Sequence, residues 1–267
     1  MTRHTESPVD IPAEGLKRLA QGKQGLFTSD LSVNEFLLIT DAGFEPAGLV
    51  VGSSIYHLGF QPPRTGNAEL TTLSQAMYAA RELAMTRMAE EADRLGADGV
   101  IGVRLEIGRN DWGEHLAEFV AIGTAVRHSA GGSYRAPNGR PFTSDLSGQD
   151  FWTLLRTGYR PAGLVMGCCV YHAGHRGFVQ TAMQSGQYFE MPQFTQALYD
   201  ARELAMSRMQ GEAEHLQAAG VVGVQIQENN HNWGSHTVEF FAIGTAVVPV
   251  PGAPGIQSPT PVLSLDT

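Results

Sequence analysis

Hydrophobic positions along this chain fall into distinct patterns, and each pattern names an element. From Ala47 to His57 the residues are apolar and β-branched over a length that suits one strand. From 70 to 95, Leu73, Met77, Ala80, Ala84, Met88 and Leu95 recur at the spacing of one long amphipathic helix. Its methionines read as core filling rather than as soft metal ligands. Ile101, Val103, Leu105 and Ile107 then alternate with Val100, Gly102, Arg104 and Glu106, which predicts a strand with one buried face. A loop carrying Trp112 and Gly113 turns into a last strand from His115 to Val126. Ahead of these, Ser32-Val33-Asn34-Glu35 has the form of a capping box, in which serine and glutamate satisfy each other's backbone N–H groups. It opens a short helix that should end at Gly43.

The whole series then runs a second time. Phe27-Thr28-Ser29-Asp30-Leu31-Ser32 recurs as Phe142-Thr143-Ser144-Asp145-Leu146-Ser147, and the offset of 115 holds without a gap to His57. After a variable loop the offset becomes 121, and Tyr78–Val126 matches Tyr199–Val247. The chain therefore divides into a polar leader (1–26, with a short possible helix at Leu16–Leu19), a first module (27–126), a Gly, Ser, Arg and Pro-rich linker (127–141), a second module (142–247) and a disordered tail (248–267). Ser147-Gly148-Gln149-Asp150 is a weaker copy of the capping box, and Gly158 the matching stop. The repeated Thr-Ser-Asp run is thus helix-start chemistry rather than a nucleophile with its acid.

The expected fold class is α+β: two tandem β-α-β-β two-layer modules, each preceded by a short helix. A strand, a crossover helix and a second strand form a right-handed parallel unit. The last strand pairs with the second as a hairpin, and if it inserts between the two the sheet order is 1-3-2. Helices then cover one face. The other, with Glu118, Val120, Ile122 and Val126, is too apolar for water and calls for a second module or another subunit.

Composition narrows the function. Of 267 residues 42% are hydrophobic and 17% charged, ordinary globular material. Eighteen basic against 27 acidic residues leave a net charge of −9, a poor basis for binding nucleic acid or an anionic membrane. No apolar stretch is long enough to span a bilayer, and residues 1–20 lack a secretory pattern. The two cysteines, Cys168 and Cys169, are adjacent and form no disulfide framework. These features predict a cytoplasmic protein with no nucleic-acid or membrane partner.

Ala80-Arg81-Glu82-Leu83-Ala84, then Leu95-Gly96-Ala97-Asp98-Gly99-Val100-Ile101-Gly102-Val103, then Ile122-Gly123-Thr124-Ala125-Val126, resemble the YbjQ-like family, small bacterial proteins labelled as heavy-metal-binding. The resemblance covers both repeats, most strongly their C-terminal two thirds. It implies the β-α-β-β fold and ring-shaped oligomers, commonly pentamers. The chain departs from the family in being tandem, in its leader and in the helix at 32–43. Family members often carry alternating acids on the second strand, where this chain has Arg104 and Glu106, then Gln225 and Gln227.

Four histidines are retained between the repeats: His57 with His172, and His115 with His236. The 1-3-2 order brings His57 and His115 to one end of a sheet near Trp112, and His172 and His236 to the same end of the other near Trp233. Two imidazoles suit Zn²⁺, Ni²⁺ or Cu²⁺, but need a third ligand. The alternative is that they bond loop backbone or shape a subunit contact. Cys168, Cys169, His172 and His175 do not form a cluster by this reading, because strand residues alternate faces and Cys168 to His172 spans roughly 13 Å. Glu118 and Glu239, retained in the middle of an apolar strand, read as interface or ligand residues, as do Trp112 and Trp233. No phosphate loop, dinucleotide fingerprint or nucleophile elbow is present. The leading expectation is a non-enzymatic homo-oligomer of three or more chains, five by the resemblance, with a divalent transition metal as candidate ligand and no certain cofactor. The alternative is an enzyme whose site is completed between subunits.

Overall fold

A computed structural model describes residues 11, 13–22, 27–57, 66–108, 116–131, 134–174, 192–229 and 237–252. The fold is α+β, with two repeated modules. In chain order the elements are α1 (Ala13–Gly22), α2 (Val33–Asp41), β1 (Phe44–His57), β2 (Ala68–Glu69), α3 (Thr71–Arg94), β3 (Gly99–Gly108), β4 (Leu116–His128), β5 (Phe142–Thr143), α4 (Gly148–Arg156), β6 (Tyr159–His172), α5 (Pro192–His215), β7 (Gly220–Asn229) and β8 (Thr237–Pro249). No helix among the described residues is long and apolar enough to cross a membrane.

The first sheet runs β1-β4-β3-β5 and the second β2-β6-β8-β7. Within each module the last strand lies between the other two, antiparallel to both, which is the 1-3-2 order. Strand β1 starts at Phe44, three residues before the apolar run, and crosses a register shift at Pro46/Gly48. A proline without an N–H is tolerated there because β1 is an edge strand. Ser32 and Glu35 form the predicted capping box on α2, and Ser147 accepts the Asp150 N–H on α4. Gly43 and Gly158 stop these helices at φ of 83° and 81°, a left-handed turn that glycine adopts without a β-carbon clash.

Each long helix lies close on its own sheet. A β-carbon at Gly52 would sit 2.0 Å from the Ala84 carbonyl, and one at Gly167 equally close to that of Ala205. Alanines on the facing helix sides, Ala80, Ala84, Ala201 and Ala205 among them, are fully buried. Helix α3 has a second role. Its far side packs on the open face of the second sheet, where Ser74 meets Val170 and Arg81 meets Glu239, and the helix joins one core with Met166, Val170, Phe241 and Ile243. Helix α3 is therefore sandwiched between the two sheets. The open face of the second sheet is covered by the first module. The corresponding residues Glu118, Val120 and Ile122 of the first sheet stay half-exposed.

Two features cross between modules without a sequence signature. Strand β2, from the first module, pairs antiparallel with β6, and β5, at the start of the second module, pairs parallel with β3. In the leader, α1 docks beside β1 and buries Leu19. Of the tail, only residues up to 252 lie within the described set.

Candidate functional site

The predicted site residues fall into two groups. His57 ends β1 opposite Leu116, and His172 ends β6 opposite Thr237, so each is in register with the residue following His115 or His236. His115, His236, Trp112 and Trp233 themselves lie outside the described residues. His57 is exposed and His172 buried. Among the described residues no three His, Cys, Asp or Glu side chains converge as a metal site would require. The two glutamates also differ. Glu118 is half-buried, whereas Glu239 is fully buried in the junction between the modules.

Among the described residues that junction is the most organised polar site. Arg81, on α3 of the first module, reaches the second sheet and donates from Nη1 to Glu239 Oε1 at 2.7 Å. Its guanidinium lies 4.0 Å from the centre of the Phe241 ring. Cys168 Sγ donates to the same Glu239 oxygen at 3.1 Å. Burial by itself would lower the Arg81 pKa, but the Glu239 carboxylate beside it outweighs this and holds the charge more firmly. Burial, reinforced by Glu239, pushes the Cys168 thiol well above its ordinary range, and burial lifts that of Cys169 to about 12. Both cysteines are buried strand residues. Such thiols are poor nucleophiles and poor metal ligands.

Around this pair the junction has three further parts. Along α3, Ser74 Oγ accepts the Val170 N–H at 2.8 Å, and the Tyr78 hydroxyl donates to Glu212. At β2, Glu69 meets Arg208 through two hydrogen bonds of 2.7 and 3.0 Å. Burial opposes ionisation of Glu69, yet the Arg208 hydrogen bonds prevail and its carboxyl is held below the usual range. At β5 the second module lays an arm along β3. Phe142 N–H donates to the Asp98 carbonyl at 3.0 Å, Ser144 N–H to Val100 at 2.9 Å, Val103 N–H to Ser144 at 2.9 Å and Gly102 N–H to Leu146 at 2.9 Å. The Phe142 ring fills the space over Gly99, where a β-carbon would lie 2.3 Å from it. It stacks on Phe151 at 5.8 Å, in a cluster with Phe44, Ile101 and Val126.

The repeat supplies counterparts for several of these residues, and those on the arm, the strand edge and the helix face are exposed. Phe27 stacks on Phe36 at the same 5.8 Å as Phe142 on Phe151. Yet Phe36 is 40% exposed where Phe151 is 0%. Gly220, the counterpart of Gly99, has nothing within 4 Å of its β-carbon position. Tyr199, matching Tyr78, is 51% exposed, and Val224, matching the buried Val103, is 40% exposed. Arg202, matching Arg81, makes an exposed pair with its chain neighbour Glu203 at 3.0 Å. The first module thus presents an unused arm, and the second an unused strand edge and helix face.

Sequence reading did not single out Arg81, Tyr78 or Phe142. The signal was present: all three recur in the other repeat. Periodicity places them on an element but cannot say which module that element touches.

Comparison with known proteins agrees with this repeated architecture. The encapsulin nanocompartment protein Rv1762c of Mycobacterium tuberculosis is 55% identical over 234 residues, covering 86% of this chain and 88% of that protein. A UPF0145 protein of Fervidobacterium nodosum is 35% identical over 89 residues, 31% of this chain and 81% of its own length. A UPF0145 protein of Halorubrum lacusprofundi is 48% identical over 59 residues, 22% of this chain and 55% of its own length. The family described as "Putative heavy-metal-binding" matches residues 65–129 and again 159–249. The chain belongs to this YbjQ family and carries its domain twice.

Proposed function

We propose that this chain is a non-enzymatic, self-assembling protein that works in or on a protein compartment of encapsulin type. The observation that carries the assembly reading is the half-used junction. The modules bind each other through one side of each, and the complementary sides, with Phe27 and Phe36 on one and Gly220 and Val224 on the other, remain exposed. A second copy fits them in the same way, its Phe27 arm lying along β7 and Arg202 of one copy facing Glu118 of the next. Such contacts are head-to-tail, so they close into rings or run on as filaments and are not limited to two chains. Three or more chains are expected. The compartment reading is supported by the 55% identity to a relative bearing that name. Sedimentation velocity of the purified protein at micromolar concentration tests the assembly. The expected particle contains at least three copies, and Phe36→Asp reduces it to single chains. A parent protein that sediments only at the monomer mass of 28.7 kDa overturns the reading. Co-purification with an encapsulin-type shell, lost on disrupting the shell, tests the compartment role.

A second reading, compatible with the first, is that a divalent transition metal binds at the histidine-bearing end of each sheet. It is favoured by the strand register, which sets His57 and His172 opposite the residues that follow His115 and His236. Titration with Zn²⁺ or Ni²⁺ is expected to show binding that His57→Ala with His172→Ala removes. Equal binding by parent and variant rejects these ligands.

A further inference from the structure

The surface that a second copy would use on the first module is already partly taken, and the occupant belongs to the chain itself. Glu91 and Glu212 are counterparts in the repeat. Each carboxylate uses Oε2 to accept a strand N–H from its own module, Val51 at 2.9 Å for Glu91 and Met166 at 2.7 Å for Glu212. Their other contacts differ. Glu212 Oε1 accepts the hydroxyl of Tyr78, reaching over from the neighbouring module. At Glu91 the leader helix α1 stands in that place. Arg18 donates to Glu91 and to the Leu49 carbonyl. The α1 backbone passes so near that a β-carbon on Gly15 would lie 3.4 Å from Glu91 Oε1. Ile11 and Leu19 bury themselves in the first module's core cluster alongside.

We infer that α1 is a built-in competitor for head-to-tail assembly, holding the Glu91 site against Tyr199 of an incoming copy. This rests on the head-to-tail reading above. The tyrosine that would approach Glu91 is the exposed counterpart of Tyr78, and the carboxylate it would reach already accepts from Arg18 of α1, with the α1 backbone at Gly15 alongside. Helix α1 and the incoming helix would thus meet at one carboxylate. Among the described residues the leader is anchored by Ile11, just ahead of α1, and by Leu19 and Arg18 within it, whereas the junction inside the chain is built from an arm, a sandwiched helix and a crossing strand. The weaker holding makes exchange feasible. Five positions after α1 ends, Phe27 begins the arm that the same assembly uses. Release of the helix and engagement of the arm therefore act on one stretch of chain, and whatever binds the released helix promotes assembly.

The test is sedimentation velocity over a concentration series on full chains carrying Arg18→Ala, Arg18→Ala with Leu19→Asp, and each of these combined with Phe36→Asp. Both α1 variants are expected to assemble at concentrations about tenfold lower than the parent, the double variant at least as readily as the single, as a coupling of the usual size would give. The gain is expected to vanish with Phe36→Asp. Assembly of the α1 variants at the same or higher concentration than an assembling parent overturns the competitor role and leaves the head-to-tail reading intact. A gain that survives Phe36→Asp comes from exposed apolar surface and also overturns it. If parent and variants all remain single chains, the head-to-tail reading fails and this inference fails with it.

Discussion

Gly99 and Gly220 are one residue in two settings. The first has an aromatic ring where its β-carbon would go, and the second has open space. Gly99→Ala is expected to cost about 1–3 kcal/mol, the usual penalty for overpacking, because the Phe142 ring must move. Gly220→Ala is expected to leave urea unfolding unchanged while raising the concentration needed for assembly. Equal effects of the two substitutions on stability would contradict the assignment. Glu212 supplies a pH signature. Burial lifts its carboxyl pKa, outweighing the hydrogen bonds from Tyr78 and Met166 that oppose the lift. A carboxyl raised in the folded state favours folding most when protonated. Its contribution is full below the unfolded value near 4.5 and is lost as pH rises through the folded value. Relative to Glu212→Gln, the parent is therefore expected to lose stability from about pH 4.5 upward, as read by thermal melts across pH. A flat difference would refute the buried state of this group.

Helices α2 and α4 show how one local sequence serves two ends. Both start at a serine cap and stop at a glycine, and these local signals were readable without tertiary information. What each helix buries was not. Phe151 of α4 is enclosed by Phe44, Phe142 and Ile101, whereas Phe36 of α2 stays 40% exposed. Helix α2 also serves as a platform, its Glu35 accepting the Gly148 N–H at 3.0 Å and its Asp41 the Trp152 indole N–H at 2.8 Å. Burial disfavours ionised Glu35, but hydrogen bonds from Ser32 and Gly148 lower its pKa on balance. Phe151→Asp is expected to destabilise the fold by at least about 3 kcal/mol, a buried charge added to the loss of an aromatic core residue. Phe36→Asp is expected to change stability by less than about 1 kcal/mol while abolishing assembly. Chemical denaturation and sedimentation on the same samples check both halves.

The molecule as a whole is two similar units joined through a shared core, while the second unit keeps a further cluster of its own. Helix α3 lies in the shared core, with Arg81 and Glu239 buried where it meets the second sheet. Removing either charge would strand the other away from water, which makes the pair a lock on module orientation more than a source of stability. Cooperative unfolding follows from the shared core. Met77→Ala, in the shared cluster, and Met209→Ala, in the second module's own cluster, are each expected to lower stability by about 2–5 kcal/mol and to shift one common transition. Two separate transitions, with each substitution moving only one, would show that the modules fold independently.

Patterns of short range were legible in the chain by itself. Period and repetition located the strands, the long helices, the caps of α2 and α4 and the 1-3-2 order within each module, because these depend on a residue's neighbours and on the connection rules of one module. Glu239, a charge kept on an apolar strand, is buried at the junction between the modules. Only the tertiary structure decided that Arg81 meets Glu239, that β2 and β5 cross to the other module, that the leader helix settles at Glu91, and that equal sequences such as those around Phe27 and Phe142 lie open in one place and buried in another. The physical reason is that a repeat encodes the same surface twice, while two modules joined head to tail use each half of that surface once. Which copy of a residue is buried is set by its place in the chain of contacts and not by its own sequence.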